Sequence, residues 1–332
     1  MKIISRNFLH TMTPTCHAST MTYHDGNPVY AWFGGSREGN PDSAIFIQFG
    51  DSKEQYVIGR DTIIARWNPI LFSYGDRLYI FIKAGDFCDR WQTQLYDITD
   101  IKDNKTPMAF IPAGLNGPVK TKVIVDDKTG LIYCGSAVET RFDWTSYVEV
   151  FEMVDGVLEY KHRTAPIIAP KVIYKDGMFG KQRMSNGIIQ PSLWMDEERV
   201  MHSFFRSSTG LDKLYYSSAK MPDSKDDFRG FVWETSRPID GLENPNSGMD
   251  TVYVNGRLFL IYNPDPVLRN PLTLVELDKD LNIIDEIVIT ETTDGTTYTG
   301  ELSYPYMIEQ DGSLEIVYTY GRSKIELVKM TI

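Results

Sequence analysis

Short apolar runs separated by polar turns recur along the whole chain, and this pattern predicts paired β-strands. The first example occupies residues 16–48 and consists of an apolar run, a turn with the sequence His-Asp-Gly-Asn, a second apolar run and a Gly-rich polar loop. Asp-Gly between two β-prone runs is a strong hairpin signal. The two free ends of a hairpin lie together, opposite its turn. We therefore expect His17 to lie near Arg37, with Asp25 at the other end of the sheet.

The same pattern is repeated five more times along the chain. The repeats start near residues 68, 117, 190, 244 and 303, and most open with a proline-containing motif such as Trp-Asn-Pro, Gly-Pro-Val-Lys or Ser-Tyr-Pro. Repeats of roughly 50 to 70 residues built from strands alone are typical of a β-propeller whose blades are four-stranded sheets. Six repeats therefore predict an all-β protein, a six-bladed β-propeller, formed by residues 1–332 as a single domain.

A few segments depart from the regular repeat. Residues 97–105 carry the best helix signal and are interpreted as a loop at a blade edge. Residues 154–186 are longer than a repeat requires, which predicts outer strands of the third blade and an extra excursion over one face. The segments 224–234 and 278–291 are predicted to be outer strands.

Composition narrows the classes of partner and compartment. The chain of 332 residues is 42% hydrophobic with a net charge of −11, which argues against a nucleic-acid or anionic-membrane partner. Three widely spaced cysteines, Cys16, Cys88 and Cys134, predict free thiols. The sequence shows neither a signal-peptide pattern nor an apolar run of about 20 residues, so we expect a soluble protein, cytoplasmic by default. A secreted protein whose signal had been removed would look the same. No spacing typical of metal ligands is present, and we predict no metal and no cofactor.

A radial arrangement of the hairpins places their open ends on one face, around the central axis. Polar and aromatic residues concentrate at these ends and predict a pocket suited to a carbohydrate. The alternative is that these loop residues satisfy backbone groups and one another. The residues predicted on this face are His17, Arg37, Glu38, Asp42, Trp67, Asn68, Lys83, Asp86, Lys120, Lys122, Glu139, Arg141, Gln190, Arg206, Asn246, Asp250, Asp265, Arg269, Tyr304 and Arg322.

The motifs HAST, WFGG, WNP, GPVK, IIQPS, ENPNSGMD and YTYGR, in this order, resemble the sialidase (neuraminidase) superfamily, in a BNR-repeat-like branch without clear Asp boxes. The resemblance extends from His17 to about Lys324. Each motif is short, and it is their order and spacing that make the resemblance specific. The superfamily has a six-bladed fold, in agreement with the number of repeats.

The resemblance implies a glycosidase with a tyrosine nucleophile, an aspartate acid/base and arginines that bind the substrate carboxylate. The spacing of Arg37 and Asp42 matches the superfamily and implies that Asp42 is the acid/base. It also implies that Arg206 and Arg269 are two of the carboxylate-binding arginines and that Tyr304 is the nucleophile. The other substrate ligands are predicted from their position on the shared face, and they are His17, Arg37, Trp67, Asn68, Asn246, Asp250 and Arg322.

Two positions depart from the superfamily pattern. Gln190 stands where the superfamily has the glutamate that assists the tyrosine, and an amide cannot take up a proton. We keep Gln190 among the catalytic positions, and Glu301 or Glu139 can take over the missing role. The first of the three arginines falls near His17, which can be a substrate ligand, a proton shuttle or a structural residue.

Three functions are consistent with these residues. The favoured one is a glycosidase that releases an acidic sugar (sialic acid or a related keto-acid or uronic acid) from a glycan. The second is a polysaccharide lyase that cleaves next to a uronate, with Tyr304 as base and His17 as acid. The third is a glycan-binding propeller that has lost catalysis, which Gln190 makes credible.

Overall fold

The computed structural model describes residues 1–60, 63–102, 106–175, 180–293 and 300–332. In these ranges the chain forms six four-stranded sheets and a separate two-stranded sheet. A 3₁₀ turn at Cys88–Arg90 accompanies them. No helix of the described ranges is long and apolar enough to cross a membrane. The predicted all-β, six-bladed propeller is confirmed.

Each blade takes its strands from the axis outward in chain order, and the sixth blade alone recruits the N-terminal strand. The N-terminal strand, β1, spans Lys2–Phe8. The first blade contains β2 Thr15–His24, β3 Asn27–Gly35, β4 Ala44–Phe49 and β5 Gln55–Ile58. The second contains β6 Arg66–Tyr74, β7 Arg77–Ala84, β8 Gln92–Asp97 and β9 Ala109–Phe110. The third contains β10 Ile124–Val125, β11 Leu131–Glu139, β12 Trp144–Val154 and β13 Val157–Arg163.

The second half of the chain continues in the same way. The two-stranded sheet pairs β14 Ile173–Lys175 with β15 Gln182–Met184. The fourth blade contains β16 Ile188–Met195, β17 Val200–Ser207, β18 Lys213–Lys220 and β19 Arg237–Glu243. The fifth contains β20 Asp250–Val254, β21 Arg257–Tyr262, β22 Leu272–Leu277 and β23 Ile283–Thr290. The sixth contains β24 Leu302–Gln310, β25 Ser313–Tyr320 and β26 Lys324–Thr331, with β1 outside them.

The two ends of the chain pair with each other and close the ring. β1 lies antiparallel to β26, with Lys2 opposite Thr331 and Phe8 opposite Glu326. Three strands of the sixth blade therefore come from the C-terminal end and the fourth comes from the N-terminal end. Closure depends on main-chain hydrogen bonds between parts of the chain more than 300 residues apart.

Alternating side chains of the strands form apolar layers between neighbouring blades. Ile45 and Ile47 of the first blade, for example, share one buried cluster with Ile80 and Ile82 of the second. Successive residues of a strand point to opposite faces, so each sheet can pack against a blade on either side. The repeated apolar runs of the sequence are thus the faces of six stacked sheets.

The predicted hairpin geometry is confirmed at the first blade. His24 pairs with Asn27 across a two-residue turn, while Thr15 pairs with Gly35 at the open end. Asp25 and Gly26 have φ angles of 48° and 74°. Positive φ at both positions is what a type I′ turn requires, and Asp-Gly adopts it with little strain. Arg37 follows the open end of the hairpin, so Arg37 and Asp25 lie at opposite ends of its strands.

Some predictions for the segments that depart from the regular repeat agree with the structure, and one does not. The excursion after the third blade contains β14 and β15, and 278–291 contains β23, as predicted. The expected loop at 97–105 begins where β8 ends, and its residues 103–105 lie outside the described ranges. The prediction for 224–234 is wrong, because the outer strand of the fourth blade is β19.

The physical reason for that error lies in local hydrogen bonds. The Ser224 hydroxyl accepts from the backbone N–H of Asp226, and the Asp227 carboxylate accepts from the N–H of Arg229. Such side-chain acceptors compete with a strand ladder and favour turns. Phe231, which is buried, then anchors the segment as a loop against the third and fourth blades.

Candidate functional site

One residue of each blade has a left-handed backbone near the open end of its inner strand. Four inner strands, β2, β6, β16 and β24, carry a break in register at this point. Bulges of this kind redirect side chains and are common beside active sites. The residues concerned, with φ between 37° and 58°, are Ala18, Asn68, Gly117, Gln190, Asn246 and Tyr304, in blade order. We call these six residues the axial ring.

Tyr304 lies at the centre of the polar part of this ring. Its phenol oxygen accepts a hydrogen bond of 2.7 Å from Arg206 Nη1 and one of 3.0 Å from Gln190 Nε2. The ring centroid of His17 lies 4.2 Å from that of Tyr304. Tyr304 is 8% exposed. Negative charge that develops on its oxygen therefore meets two donors already in place.

Arg206 ends the second strand of the fourth blade and links three members of the site. Besides Tyr304, it donates to Asn246 Oδ1 at 2.8 Å and to Gln190 Oε1 at 3.2 Å. All of these acceptors are neutral. Among the described residues, no carboxylate forms an ion pair with Arg206, although its side chain is buried. A buried guanidinium without an anionic partner is unfavourable, so this fork is suited to an anionic ligand.

Two further arginines are held by one carboxylate. Glu301 pairs with Arg269 at 2.8 Å and with Arg322 at 2.9 Å. Arg322 also pairs with Glu38, which lies in the loop after the first hairpin. Burial acts to raise the pKa of Glu301, but Arg269 and Arg322 outweigh it and the pKa is lowered. Both guanidinium groups are therefore fixed by an ionised carboxylate.

His17 and Lys120 are the other basic residues of the site, and their surroundings lower the pKa of both. Burial, assisted by Arg322 and Arg269, holds the pKa of His17 well below its ordinary value. His17 is consequently neutral, with Nδ1 2.9 Å from the Thr319 hydroxyl. Burial also lowers the pKa of Lys120 to about 7. The Lys120 amine lies 5.9 Å from the centroid of the Tyr304 ring and donates to the carbonyl of Met249 at 2.8 Å.

The structure brings most of the predicted residues together. We call the following group the axial cluster: His17, Gln190, Arg206, Asn246, Arg269, Tyr304 and Arg322. Arg269 contributes to it through a guanidinium carbon 5.9 Å from the Tyr304 ring centroid and a 2.7 Å bond to the Asn246 carbonyl. Arg322 stands next to His17 in space, because the backbone N–H of Cys16 donates to the Arg322 carbonyl. It therefore places a third guanidinium in the region where the sequence pattern lacked one.

The loop between β3 and β4 holds Arg37 and Asp42 at the rim. The Asp42 carboxylate accepts from the backbone N–H and the hydroxyl of Ser36, both at 2.9 Å. Asp42 and Arg37 are exposed. The neighbouring Glu38 brings this loop to the axial cluster through Arg322. Asp42 thus stabilises the loop, and its catalytic role stays a prediction.

Three predicted ligands have structural contacts instead of an open face. Asp250 is fully buried, and its carboxylate binds the Lys122 amine at 2.6 Å and the N–H of Met307 at 2.8 Å. This places Asp250 beneath the cluster, not among the groups a ligand can reach. Asn68 is also buried and donates to the Val119 carbonyl at 2.8 Å. Trp67 is partly buried against Phe33 and Trp91, and its indole N–H donates to the Gly85 carbonyl.

The family resemblance gave no role to Lys120 or Glu38, although both residues were predicted to lie on the face that holds the site. Lys120 follows the Gly-Pro-Val motif that opens the third repeat, and Glu38 follows Arg37. Their positions next to the motifs of the repeat were the sequence features that could have assigned them to the site. Glu301 was one of two alternatives, and the structure shows it as the acid that pairs with two arginines. No group of His, Cys, Asp and Glu side chains within the described ranges is arranged to hold a metal ion.

The chain belongs to the BNR repeat-like domain family, which matches residues 26–316. No curated protein sequence matches it. A protein of unknown function from Dyadobacter fermentans has a similar structure, with a TM-score of 0.72 and 12% identity over 100% of this chain and 99% of the other.

Two structures of glycan-active proteins are also similar. Trypanosoma rangeli sialidase, in complex with the inhibitor DANA, gives a TM-score of 0.63 and 11% identity over 96% of this chain and 55% of the sialidase. Penicillium chrysogenum α-L-arabinanase, complexed with arabinobiose, gives a TM-score of 0.61 and 11% identity over 100% and 99%. At these identities the likeness establishes the sialidase-type propeller fold. The chain spans little more than half the length of the sialidase.

Proposed function

We propose that this member of the BNR repeat-like family is a glycoside hydrolase that releases an acidic sugar through a covalent intermediate on Tyr304. The observation that carries the proposal is the contact between Arg206 and the phenol oxygen of Tyr304. The buried guanidinium of Arg206 can thereby stabilise the attacking oxygen of Tyr304 and bind a substrate placed next to it. Arg206 lacks an anionic partner among the described residues, so the carboxylate of an acidic sugar supplies one.

The charge of the axial cluster supports an anionic substrate. Arg206, Arg269, Arg322 and Lys120 surround Tyr304. In the described part of the chain, the ion pairs of this group are made with Glu301 and Glu38, and both carboxylates contact Arg322. The cluster therefore has an excess of positive charge in a buried setting, where electrostatic interactions are weakly screened. Guanidinium forks match a carboxylate in geometry as well as in charge.

In the first chemical step, the phenol proton of Tyr304 is released to solvent, and the resulting phenolate attacks the anomeric carbon. The bond between that carbon and the leaving oxygen breaks, and a carboxyl group at the rim gives its proton to the leaving oxygen. Arg206 and Gln190 hold the attacking oxygen in position. A phenol is a weak nucleophile until its proton is removed, and an adjacent cation stabilises the anionic form.

In the second step, water attacks the anomeric carbon and replaces Tyr304. The rim carboxylate takes a proton from the water and becomes a carboxyl group again, while the phenolate is restored. The same group thus serves as acid and then as base. Tyrosine nucleophiles are a known exception to the two-carboxylate rule of glycosidases. Asp42 is the group that the spacing predicts for this proton transfer. Glu139, predicted from the sequence as a replacement for the glutamate that assists Tyr304, is a second carboxyl group predicted on the same face.

The state of His17 favours hydrolysis over the lyase alternative. Elimination next to a uronate would use Tyr304 as base and His17 as acid. The pKa of His17 is held well below its ordinary value by burial and by Arg322 and Arg269. A neutral imidazole is a far weaker acid than an imidazolium, so His17 is poorly suited to protonating a leaving oxygen.

The proposal is tested with a panel of fluorogenic glycosides that carry sialic acid, another keto-acid sugar, a uronic acid or arabinose. We expect release from one of the acidic sugars and none from the arabinoside, with a saturated product by mass spectrometry. A fluorinated analogue of the active sugar should slow the second step and leave an adduct on the peptide that contains Tyr304. Release of an unsaturated sugar would support the lyase instead. Binding without turnover of any substrate would support the binding protein.

The carboxylate assignment has its own test. The substrate analogue with its carboxylate reduced to an alcohol should bind the parent protein about 10- to 100-fold more weakly, since a hydrogen bond to a charged group contributes about 1.5–3 kcal/mol. Arg206→Ala should show the same loss with the acid and little further loss with the alcohol. Fully additive losses would mean that Arg206 does not contact the carboxylate.

A further inference from the structure

A cleft between the second and third blades opens beside the axial cluster. Its volume is about 510 Å³, and its walls include Phe87 and Arg90 from the segment after β7, and Glu139 and Trp144 from the facing ends of β11 and β12. Glu139 and Trp144 are cross-strand partners, so both side chains are fixed at the open end of the third blade. The cleft is large enough for one or two sugar units.

Arg206 connects this cleft to Tyr304. Its guanidinium carbon lies 5.5 Å from the Trp144 ring centroid and 5.7 Å from the Tyr304 ring centroid. The arginine that contacts the phenol oxygen therefore also borders the wall of the cleft. The cleft and Tyr304 are therefore separated by a single side chain, that of Arg206.

Glu139 differs from the other carboxylates around the axial cluster. Asp42 is bonded to Ser36, Glu301 to two arginines and Glu38 to Arg322. Within the described ranges, no hydrogen bond or ion pair engages the Glu139 side chain, although it is partly buried. An acid that must hold a proton, give it up and recover it is better served by a free carboxyl group than by one locked in an ion pair.

We propose that the cleft receives the leaving part of the glycan and that Glu139, at its inner edge, is the acid/base residue of the reaction. This inference rests on the proposed function. As the bond between the anomeric carbon and the leaving oxygen breaks and Tyr304 bonds to the carbon, the Glu139 proton moves to that oxygen. The leaving sugar departs as an alcohol. Glu139 then takes a proton from the water that releases the acidic sugar.

The chemistry of the walls indicates an uncharged leaving sugar. Two arginines and two acidic residues line the cleft, namely Arg90, Arg141, Asp89 and Glu139. Arg90 is paired with Asp86 at 3.2 Å and with Asp89 at 3.7 Å, so the walls carry little net charge. Phe87 is 60% exposed and presents an apolar ring. The apolar face of a neutral sugar can pack on such a ring while its hydroxyl groups reach the polar edge of the cleft.

The surroundings of Glu139 favour its protonated form. Burial raises the pKa of Glu139; Arg206, from the fourth blade, opposes this, and Glu38, from the first, adds to it. Cys88, from the second blade, also faces this carboxyl group, and burial raises the pKa of its thiol to about 11, so it stays neutral. The proton of Glu139 is therefore retained to higher pH than in an exposed glutamate, and activity should fall as pH rises through its pKa.

The decisive experiment compares Glu139→Gln with Asp42→Asn on two acidic glycosides, one with a sugar leaving group and one with an activated aryl leaving group. Glu139→Gln should lose about 10²- to 10⁴-fold on the sugar glycoside, which needs a proton, and far less on the aryl glycoside. It should also lose the fall in activity at high pH. Asp42→Asn should affect both substrates equally. The reverse pattern would overturn the assignment.

Two controls separate this inference from the proposed function. Tyr304→Phe should be inactive on both substrates; if it is active, the proposed function itself fails. If Tyr304→Phe is inactive and Glu139→Gln behaves like the parent on both, the function stands and the role of Glu139 does not.

The cleft has a separate readout. Phe87→Ala should raise KM about 3- to 10-fold for the glycoside with a leaving sugar, by loss of stacking on the ring, but leave the methyl glycoside unchanged. Phe142→Ala is the matched control, because Phe142 is 76% exposed in the same region without lining the cleft. Equal KM values for Phe87→Ala and the parent on both substrates would exclude the cleft as the leaving-group site.

Discussion

The two halves of the axial ring have the same backbone and opposite chemistry. In the first three blades its members are Ala18, Asn68 and Gly117, while in the last three they are Gln190, Asn246 and Tyr304. Only the second half carries side chains that bond to one another around Arg206. The repeat thus supplies six equivalent positions, and side-chain choice at three of them makes a candidate active site.

The same asymmetry appears in the stabilising contacts. Asn68 in the first half turns its amide to the backbone of the next blade and serves the fold. In the second half, Gln190 gives both ends of its amide to groups of the cluster. Ala18 and Gly117 of the first half, by contrast, carry no polar side chain. A substrate would therefore be held by polar side chains from one side of the axis.

The largest expected effect is on Tyr304. Tyr304→Phe should reduce kcat at least ~10³-fold, because it removes the nucleophile itself. Its stability should stay within about 1 kcal/mol of the parent, since one hydrogen-bonded hydroxyl is lost. Tyr306→Phe, two residues along the same strand and turned into a different apolar cluster, is the control and should keep its activity. If Tyr304→Phe still turns over substrate, Tyr304 is not the nucleophile, and the catalytic role assigned to the second half of the axial ring is wrong.

The next effect concerns the ion pairs of Glu301. Glu301→Gln leaves Arg269 and Arg322 without their shared carboxylate, and breaking such a buried pair destabilises proteins by about 3–5 kcal/mol. Because the pKa of Glu301 is lowered in the folded state, its contribution is fully present above about pH 4.5 and is lost as pH falls through the folded-state pKa. Urea unfolding of parent and variant should therefore differ most near neutral pH, with the gap narrowing on acidification. A gap that is independent of pH would contradict the ionised state of Glu301.

Substitution of Arg206 tests whether substrate binding by the second half of the axial ring needs the planar guanidinium group or only its positive charge. Arg206→Lys keeps the charge but loses the planar fork, and it should weaken binding of the acidic substrate by about 10- to 100-fold. Arg66 is the matched control from the first half, because both side chains are 7% exposed. Arg66→Lys should affect stability without changing substrate binding. If both variants bind equally well, the positive charge of the site acts only at long range.

The repeat was readable from the sequence because its signals are local. Asp-Gly, Asn-Gly and alternating apolar runs act within a few residues, and they predicted the hairpins, their turns and the face that gathers Arg206, Arg269 and Tyr304. The pairing of β1 with β26 and the burial of Asp250 depend on segments far apart in the chain. No local pattern distinguishes a polar residue that faces a ligand from one that bonds to the next blade. The turn chemistry at 224–234 was local and was overlooked.

The smallest expected effect is the sharpest test of the comparison, because it changes equivalent positions in the two halves. Gln190 and Asn68 both precede proline and have φ angles of 54° and 37°. Glycine accepts such angles without strain, and Gly117 already occupies this position in the third blade. Gln190→Gly removes a donor to the phenol oxygen of Tyr304 and should lower kcat by about 10-fold, as expected for one hydrogen bond of about 1.4 kcal/mol. Asn68→Gly removes a bond to Val119 and should act mainly on the midpoint of thermal unfolding. Equal losses of kcat in both variants would mean that the ring works as a symmetric scaffold, and that its polar half has no special part in the reaction.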